Sequence, residues 1–148
     1  MPTRFSHTAI VANDPDRLAD FYVEVFGAVP SGPRRDLAGD GLERGMGLPG
    51  AHVQGVHLRL PGHGDNGPVL EIFRLDETVA GSEAVNRRGL MHVAFSVDDI
   101  RATLDRLIAA GGSSLGEIAE VTVDGVGTAE FVYTRDPEGT IVELQGWR

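Results

Sequence analysis

Phe5-Ser6-His7-Thr8-Ala9-Ile10-Val11 is a strand-like stretch near the start of the chain, and Leu90-Met91-His92-Val93-Ala94-Phe95-Ser96-Val97 matches it in the second half. The histidines of the two stretches are 85 residues apart. Asp14 and Asp99 keep the same spacing, and each precedes a helical pattern. The order of strand, aspartate and helix therefore occurs twice, which indicates an internal repeat.

The helical patterns have matching start and stop signals. Asp14 is the expected N-cap of a first helix, with Pro15 in its first turn and Gly27 as its stop. Its predicted apolar face within residues 17–26 is Leu18, Phe21, Tyr22, Val25 and Phe26. Asp98 or Asp99 is expected to cap a second helix, which Gly111-Gly112 ends. Its predicted apolar face is Ile100, Leu104, Leu107 and Ile108.

Strand-type sequence follows each helix. Alternation and turn residues predict strands over residues 53–60 and 69–75 in the first half. They predict strands over 120–123, 128–134 and 140–147 in the second half. Residues 30–50 are rich in glycine and show no clear apolar pattern of a helix or strand, so we expect a mobile loop or a weak substrate-facing strand there.

Each half closes with a glutamate between apolar residues, Glu71 in Val69-Leu70-Glu71-Ile72-Phe73 and Glu143 in Ile141-Val142-Glu143-Leu144-Gln145. Side-chain alternation places the glutamates and histidines opposite the core faces of their strands. The repeated His…Glu pair favours one metal site built from both halves, and hence a metalloenzyme. The structural alternative is that each glutamate is an edge or dimer-interface charge paired with an arginine.

Composition narrows the possible partners and chemistry. A net charge of −9 argues against nucleic acid and anionic membranes as partners. With Cys 0 and arginine as the only basic residue besides histidine, thiolate chemistry and Schiff-base chemistry are excluded. No apolar run has the length of a membrane span and no signal-peptide pattern opens the sequence, so we expect a cytoplasmic location.

At these residues the chain resembles the vicinal oxygen chelate superfamily, which includes glyoxalase I, methylmalonyl-CoA epimerase, extradiol dioxygenases, and fosfomycin- and bleomycin-resistance proteins. The resemblance continues through Leu70-Glu71-Ile72-Phe73 and Gly89-Leu90-Met91-His92-Val93-Ala94-Phe95. It ends with Arg135-Asp136-Pro137-Glu138-Gly139 and the last strand. Nearly the whole chain is covered.

The resemblance implies an α+β fold of two βαβββ modules, whose sheets curl around a metal-binding cleft with helices outside. Residues 1–148 would form one glyoxalase-like domain, with modules at about 1–78 and 88–148. It also implies a homodimer and a small-molecule substrate. The ligands it implies for a divalent metal (Zn, Ni, Co, Mn or Fe) are His7, Glu71, His92 and Glu143.

The function favoured on this basis is a lyase or isomerase of the glyoxalase I-like or epimerase-like type. Glu71 or Glu143 would be catalytic and would move a proton next to a carbonyl, through a metal-bound enediolate. One alternative is an Fe(II) extradiol-type dioxygenase, against which the fourth ligand Glu71 counts. Another is a metal-free antibiotic-binding or small-molecule-binding protein, which would leave the set of four ligand-type residues unexplained.

Five further side chains are candidates for substrate binding, although each also fits a structural role. They are His57, Arg59, Phe73, Phe131 and Tyr133. Arg34-Arg35 and Arg87-Arg88 are possible anion sites, but such pairs are more often surface charge. His52 and His63 lie in turn-rich stretches, where we expect them to be solvated.

Overall fold

The computed structural model describes residues 2–148, and the chain divides into two compact units, Met1–Ala80 and Gly81–Arg148. The elements of the first unit are β1 (His7–Val11), α1 (Pro15–Phe26), β2 (Val29–Pro30), β3 (Arg35–Ala38), α2 (Asp40–Met46), β4 (His52–Arg59), a 3-10 turn (Gly64–Asn66) and β5 (Val69–Leu75). Those of the second unit are β6 (Val93–Ser96), α3 (Ile100–Ala109), β7 (Ser113–Ser114), β8 (Ala119–Val123), β9 (Gly127–Arg135) and β10 (Ile141–Trp147).

Each unit contains one mixed five-stranded sheet. The first sheet has the order β1-β5-β4-β2, with β3 also paired to β4, and the second has the order β6-β10-β9-β7, with β8 also paired to β9. In both sheets the first and last strands of the unit are parallel neighbours, and the other pairs are antiparallel. The predicted α+β class and repeated module are confirmed.

Local capping explains where the two long helices begin. The Asp14 carboxylate accepts a hydrogen bond from the backbone N–H of Arg17 at 3.0 Å, and Asp99 accepts one from Ala102 at 2.9 Å. Each bond satisfies a backbone donor that the first helical turn leaves free. Gly27 ends α1 in the left-handed conformation, with φ 72°, as predicted.

The core of each unit lies between its long helix and one face of its sheet. In the first unit α1 packs on β4 and β5, where Leu58, Leu70 and Ile72 are almost completely buried. In the second unit α3 packs on β10, with Leu107 fully buried. Burying such side chains contributes about 1.5–3 kcal/mol each.

One part of the predicted face of α3 is wrong. Ile108 is 49% exposed, whereas Thr103 is buried with Ile100 and Leu107. A helix turns by about 100° per residue, so Ile108 lies one such step beyond Leu107 and off the buried stripe.

For residues 30–50 the expectation of a loop is wrong, whereas the alternative of a strand with a poor pattern agrees with β3. β3 pairs with β4 from Arg35 opposite Gly55 to Ala38 opposite His52, and α2 follows it. Backbone pairing with β4 defines β3, and none of the α2 residues is buried, so an apolar pattern defines neither element.

No helix in residues 2–148 is long and apolar enough to cross a membrane.

Candidate metal centre

The helix-free face of each sheet carries the histidine and glutamate that the sequence singled out. In the first sheet Ala9, Glu71 and His57 are register neighbours on three adjacent strands. Ala94, Glu143 and Tyr133 form the corresponding row in the second sheet. Since side chains alternate along strands, the flanking buried residues point to the helices and these rows point away from them.

In the first unit Glu71 lies between two imidazole rings. Its Oε2 is 3.6 Å from Nε2 of His7, the first residue of β1, and its Oε1 is 3.4 Å from Nε2 of His57 on β4. Only 16% of the Glu71 side chain is exposed, against 46% of His7. The hydroxyl of Ser6 lies 3.1 Å from Nδ1 of His7 and can fix this ring through the nitrogen that faces away from Glu71.

The second unit has a closer pair. Nε2 of His92, the residue before β6, lies 2.8 Å from Oε2 of Glu143 on β10. The Tyr133 ring, 5.0 Å away between ring centres, packs beside the imidazole. Nδ1 of His92 is buried without a hydrogen-bond partner among the described residues, and such an atom costs free energy unless a ligand or solvent satisfies it.

His57 and Tyr133 hold equivalent positions beside the two glutamates, and the sequence alone gives no signal of this equivalence. Burial lowers the pKa of His57, and the charges of Arg35 and His7 act in the same direction, whereas Glu71 opposes them. Burial also raises the pKa of Tyr133, and the Glu143 carboxylate adds to this effect. Both rings are therefore favoured in their neutral forms.

The donor atoms of each pair lie close enough together for both to bind one divalent ion. Ligand atoms about 2.1 Å from such an ion lie roughly 3 Å from each other. The separations of 2.8 Å and 3.6 Å lie on either side of that value. Within residues 2–148 no group of three or more histidine, aspartate or glutamate side chains has an arrangement that could hold a metal ion.

The other predicted side chains divide between the same faces and the surface. Phe73 lies 5.6 Å from the His57 ring, and Phe131 lies 6.0 Å from Tyr133, between ring centres. Arg59 shares the face of Glu71, but its guanidinium pairs with Asp65 at 3.3 Å. His52 lies at the start of β4, where it bonds two carboxylates in contacts that are open to solvent, as expected.

The sequence profile of the Glyoxalase/Bleomycin resistance protein/Dioxygenase superfamily matches residues 4–144 of the chain. The chain belongs to this superfamily. The match spans both His…Glu pairs, including the second glutamate near its end. Membership agrees with the repeated sheet topology and confirms the resemblance drawn from the two strand motifs.

Individual relatives in the superfamily are modestly similar to the chain. It is 31% identical over 143 residues to a probable lactoylglutathione lyase of Vibrio cholerae, covering 95% of this chain and 88% of the relative. It is 27% identical to an ethylmalonyl-CoA/methylmalonyl-CoA epimerase of Cereibacter sphaeroides, covering 96% of each. Its fold matches a glyoxalase family protein of Bacillus cereus with a TM-score of 0.82 and 25% identity, over 99% of this chain and 95% of the other.

Proposed function

We propose that the chain is a divalent-metal-dependent lyase or isomerase of the glyoxalase I-like or epimerase-like type, which moves a proton next to a carbonyl group of a small-molecule substrate. The observation that carries the proposal is the repeated pair of an imidazole Nε2 and a glutamate carboxylate, His7 with Glu71 and His92 with Glu143. The names of two relatives, a lyase and an epimerase, support the same reaction types.

His7, Glu71, His92 and Glu143 would hold the ion. Two imidazoles and two carboxylates are a donor set that suits Zn²⁺, Ni²⁺, Co²⁺, Mn²⁺ or Fe²⁺. When bound, the ion supplies Lewis-acid chemistry, which polarises a carbonyl oxygen and makes the neighbouring carbon a stronger acid.

The proton transfer itself belongs to a glutamate carboxylate, and the two glutamates are held differently. Glu143 lies within hydrogen-bond distance of His92, at 2.8 Å. The imidazole nitrogens nearest to Glu71 are at 3.4 Å and 3.6 Å, so this carboxylate has the looser hold. We therefore assign the movement of the proton at the carbon to Glu71, and a fixed position to Glu143.

The experiment compares Glu71→Gln and Glu143→Gln with the wild-type protein. The protein is loaded with each candidate metal and screened against hemithioacetals, α-hydroxyacyl thioesters and acyl-CoA esters in D₂O. Proton NMR then measures exchange at the carbon next to the carbonyl. Glu77→Gln, an exposed carboxylate just after β5, is the matched control.

We expect Glu71→Gln to slow exchange by about 10²–10⁴-fold while it keeps much of the metal, because a general base contributes that much. We expect Glu143→Gln to lose metal first and activity with it. Undiminished exchange in both variants contradicts the proposal, as does metal-independent exchange in the wild type.

A further inference from the structure

Two adjacent arginines of the first unit have different partners. The guanidinium of Arg34 forms a two-point ion pair with Asp16, in which NH2 lies 3.0 Å from Oδ2. Arg35 instead donates from NH1 to the carbonyl of Pro33 and from NH2 to Nδ1 of His57, the latter at 3.3 Å. Across residues 2–148 no carboxylate oxygen lies within 4.0 Å of the Arg35 guanidinium.

The register of the sheet places Arg35 on the face of Glu71. Arg35 on β3 is opposite Gly55 on β4, and Gly55 is opposite Phe73 on β5. Gly55 has no side chain to occupy the space between them. The Arg35 side chain therefore crosses toward His57, which is the neighbour of Glu71 in the next row.

The hydrogen bond from Arg35 also sets which nitrogen of His57 carries the proton. Because Nδ1 of His57 accepts from the guanidinium, the imidazole proton lies on Nε2, the atom that faces Glu71 at 3.4 Å. One imidazole ring thus separates a fixed cation from the carboxylate to which we assign the proton transfer.

A half-buried guanidinium with no carboxylate partner favours binding of an anion. The free-energy cost of desolvating the Arg35 guanidinium is offset only by its hydrogen bonds to a carbonyl and a neutral imidazole. The planar guanidinium matches the geometry of a carboxylate. Arg59, on the same face at the end of β4, already pairs with Asp65. Arg35 therefore stands out as a cation available to a ligand in a chain whose net charge is −9.

We propose that Arg35 is a specificity-determining residue, which binds a carboxylate that the substrate carries on the carbon whose proton Glu71 moves. The inference rests on the function proposed above and refines its substrate class. In a 2-carboxyacyl thioester the carboxylate is bonded directly to the acidic carbon. The two groups are therefore close together, as are Arg35 and Glu71, which are separated by a single imidazole ring. A hemithioacetal has no charged group at that position and gains nothing from the guanidinium.

The test uses thioesters of N-acetylcysteamine, a thiol carrier without charged groups. Any effect of Arg35 then concerns the acyl group and not a carboxylate or phosphate of a larger carrier. The metal-loaded protein is assayed for proton exchange with a 2-carboxyacyl thioester and with the methyl ester of the same compound, which is neutral. Arg35→Gln is compared with Arg35→Lys and with Arg34→Gln, the neighbouring arginine as control. Circular dichroism melts check that each variant is folded.

We expect Arg35→Gln to lower kcat/KM for the free carboxylate by roughly 10- to 100-fold, the loss of one charged hydrogen-bonded contact, and to lower that for the methyl ester much less, because the neutral ester has no charge for the guanidinium to pair. Arg35→Lys is expected to recover part of the loss, and Arg34→Gln to change neither rate. Equal losses for both compounds overturn the proposal, and so does an effect no larger than that of Arg34→Gln.

A second measurement separates this inference from the proposed function. Isothermal titration of the metal-free protein with malonate, a dicarboxylate probe, is expected to show binding that Arg35→Gln removes and Arg34→Gln keeps. If the wild type exchanges no substrate proton, the proposed function fails, while malonate binding still tests Arg35. Binding that is absent, or unchanged in Arg35→Gln, overturns the role of Arg35 even when exchange occurs.

Discussion

Nε2 of His92 lies 2.8 Å from Oε2 of Glu143, whereas the equivalent contact in the first unit, between His7 and Glu71, spans 3.6 Å. The two pairs thus share one arrangement on repeated strands but differ in closeness. The shorter distance lies within hydrogen-bond range, and separate metal–ligand bonds are compatible with both distances. Removing each histidine in turn tests whether both pairs bind metal.

Replacing either histidine by alanine is expected to weaken metal binding. Loss of a residue that only hydrogen-bonds a metal ligand reduces metal affinity by about 10- to 100-fold, so loss of the ligand itself in His7→Ala or His92→Ala should cost at least about 100-fold. Metal analysis after dialysis and a competition titration with a chelator measure the change. His63→Ala, in the turn before β5, is the control, and unchanged affinity in both ligand variants contradicts the four-ligand assignment.

Gly55 is expected to tolerate no side chain. A Cβ atom there would lie 2.0 Å from the carbonyl oxygen of Ile72 and 2.9 Å from Cα of Phe73, both backbone atoms of the strand that carries Glu71. Gly55→Ala should therefore force β4 and β5 apart and destabilise the protein by about 1–3 kcal/mol.

Chemical denaturation of Gly55→Ala against Gly41→Ala measures this effect. Gly41 lies in the exposed helix α2, where an added Cβ meets nothing within 4 Å. Its replacement should be neutral or stabilise by about 0.4–1 kcal/mol, since alanine favours a helix. Equal stability of the two variants would show that the strands can shift to accept a Cβ at Gly55.

Features that depend on local sequence were predicted well. The caps at Asp14 and Asp99, the Gly27 stop and the β5 strand need only a few neighbouring residues, and the structure agrees with each. The repeat also predicted which faces of their strands carry Glu71 and Glu143, because side-chain alternation fixes parity.

Features that depend on strand register were not predicted. β3 has a weak apolar pattern, so the sequence indicates at most a weak strand there and does not indicate its pairing with β4. The roles of Arg35 beside His57 and of Asp36 beside His52 follow from that pairing alone. The equivalence of His57 and Tyr133 likewise becomes visible only when the partners of the two glutamates are known.

His52 joins three strands of the first sheet through two carboxylates. Its Nε2 lies 2.7 Å from Asp36 on β3, and its Nδ1 lies 3.0 Å from Asp76, just after β5. The hydrogen bond with Asp36, and then that with Asp76, raises the pKa of His52 above its ordinary value of 6.5. Hydrogen bonds from His52 and Gln54 lower the pKa of Asp36 below its ordinary value of 3.8.

These shifts set the pH window in which the cluster stabilises the fold. The raised pKa of His52 means that its contribution is complete below pH 6.5 and is lost as the pH rises through the higher folded value. The lowered pKa of Asp36 means that its contribution is complete above pH 3.8 and is lost as the pH falls through the lower folded value. The cluster should therefore stabilise the protein most between these two ordinary values.

His52→Gln is accordingly expected to lower the Tm of the metal-free protein at about pH 5.5 and to have little effect at about pH 9, where the wild-type imidazole is neutral as well. The difference in Tm between wild type and variant, measured by calorimetry across this range, removes the pH effects common to both proteins. Added salt should reduce the difference at the lower pH, because the groups are exposed and screened.

His63→Gln provides the control for loss of an imidazole. A Tm difference that is the same at both pH values, or that grows with pH, contradicts a charged His52 bridging Asp36 and Asp76.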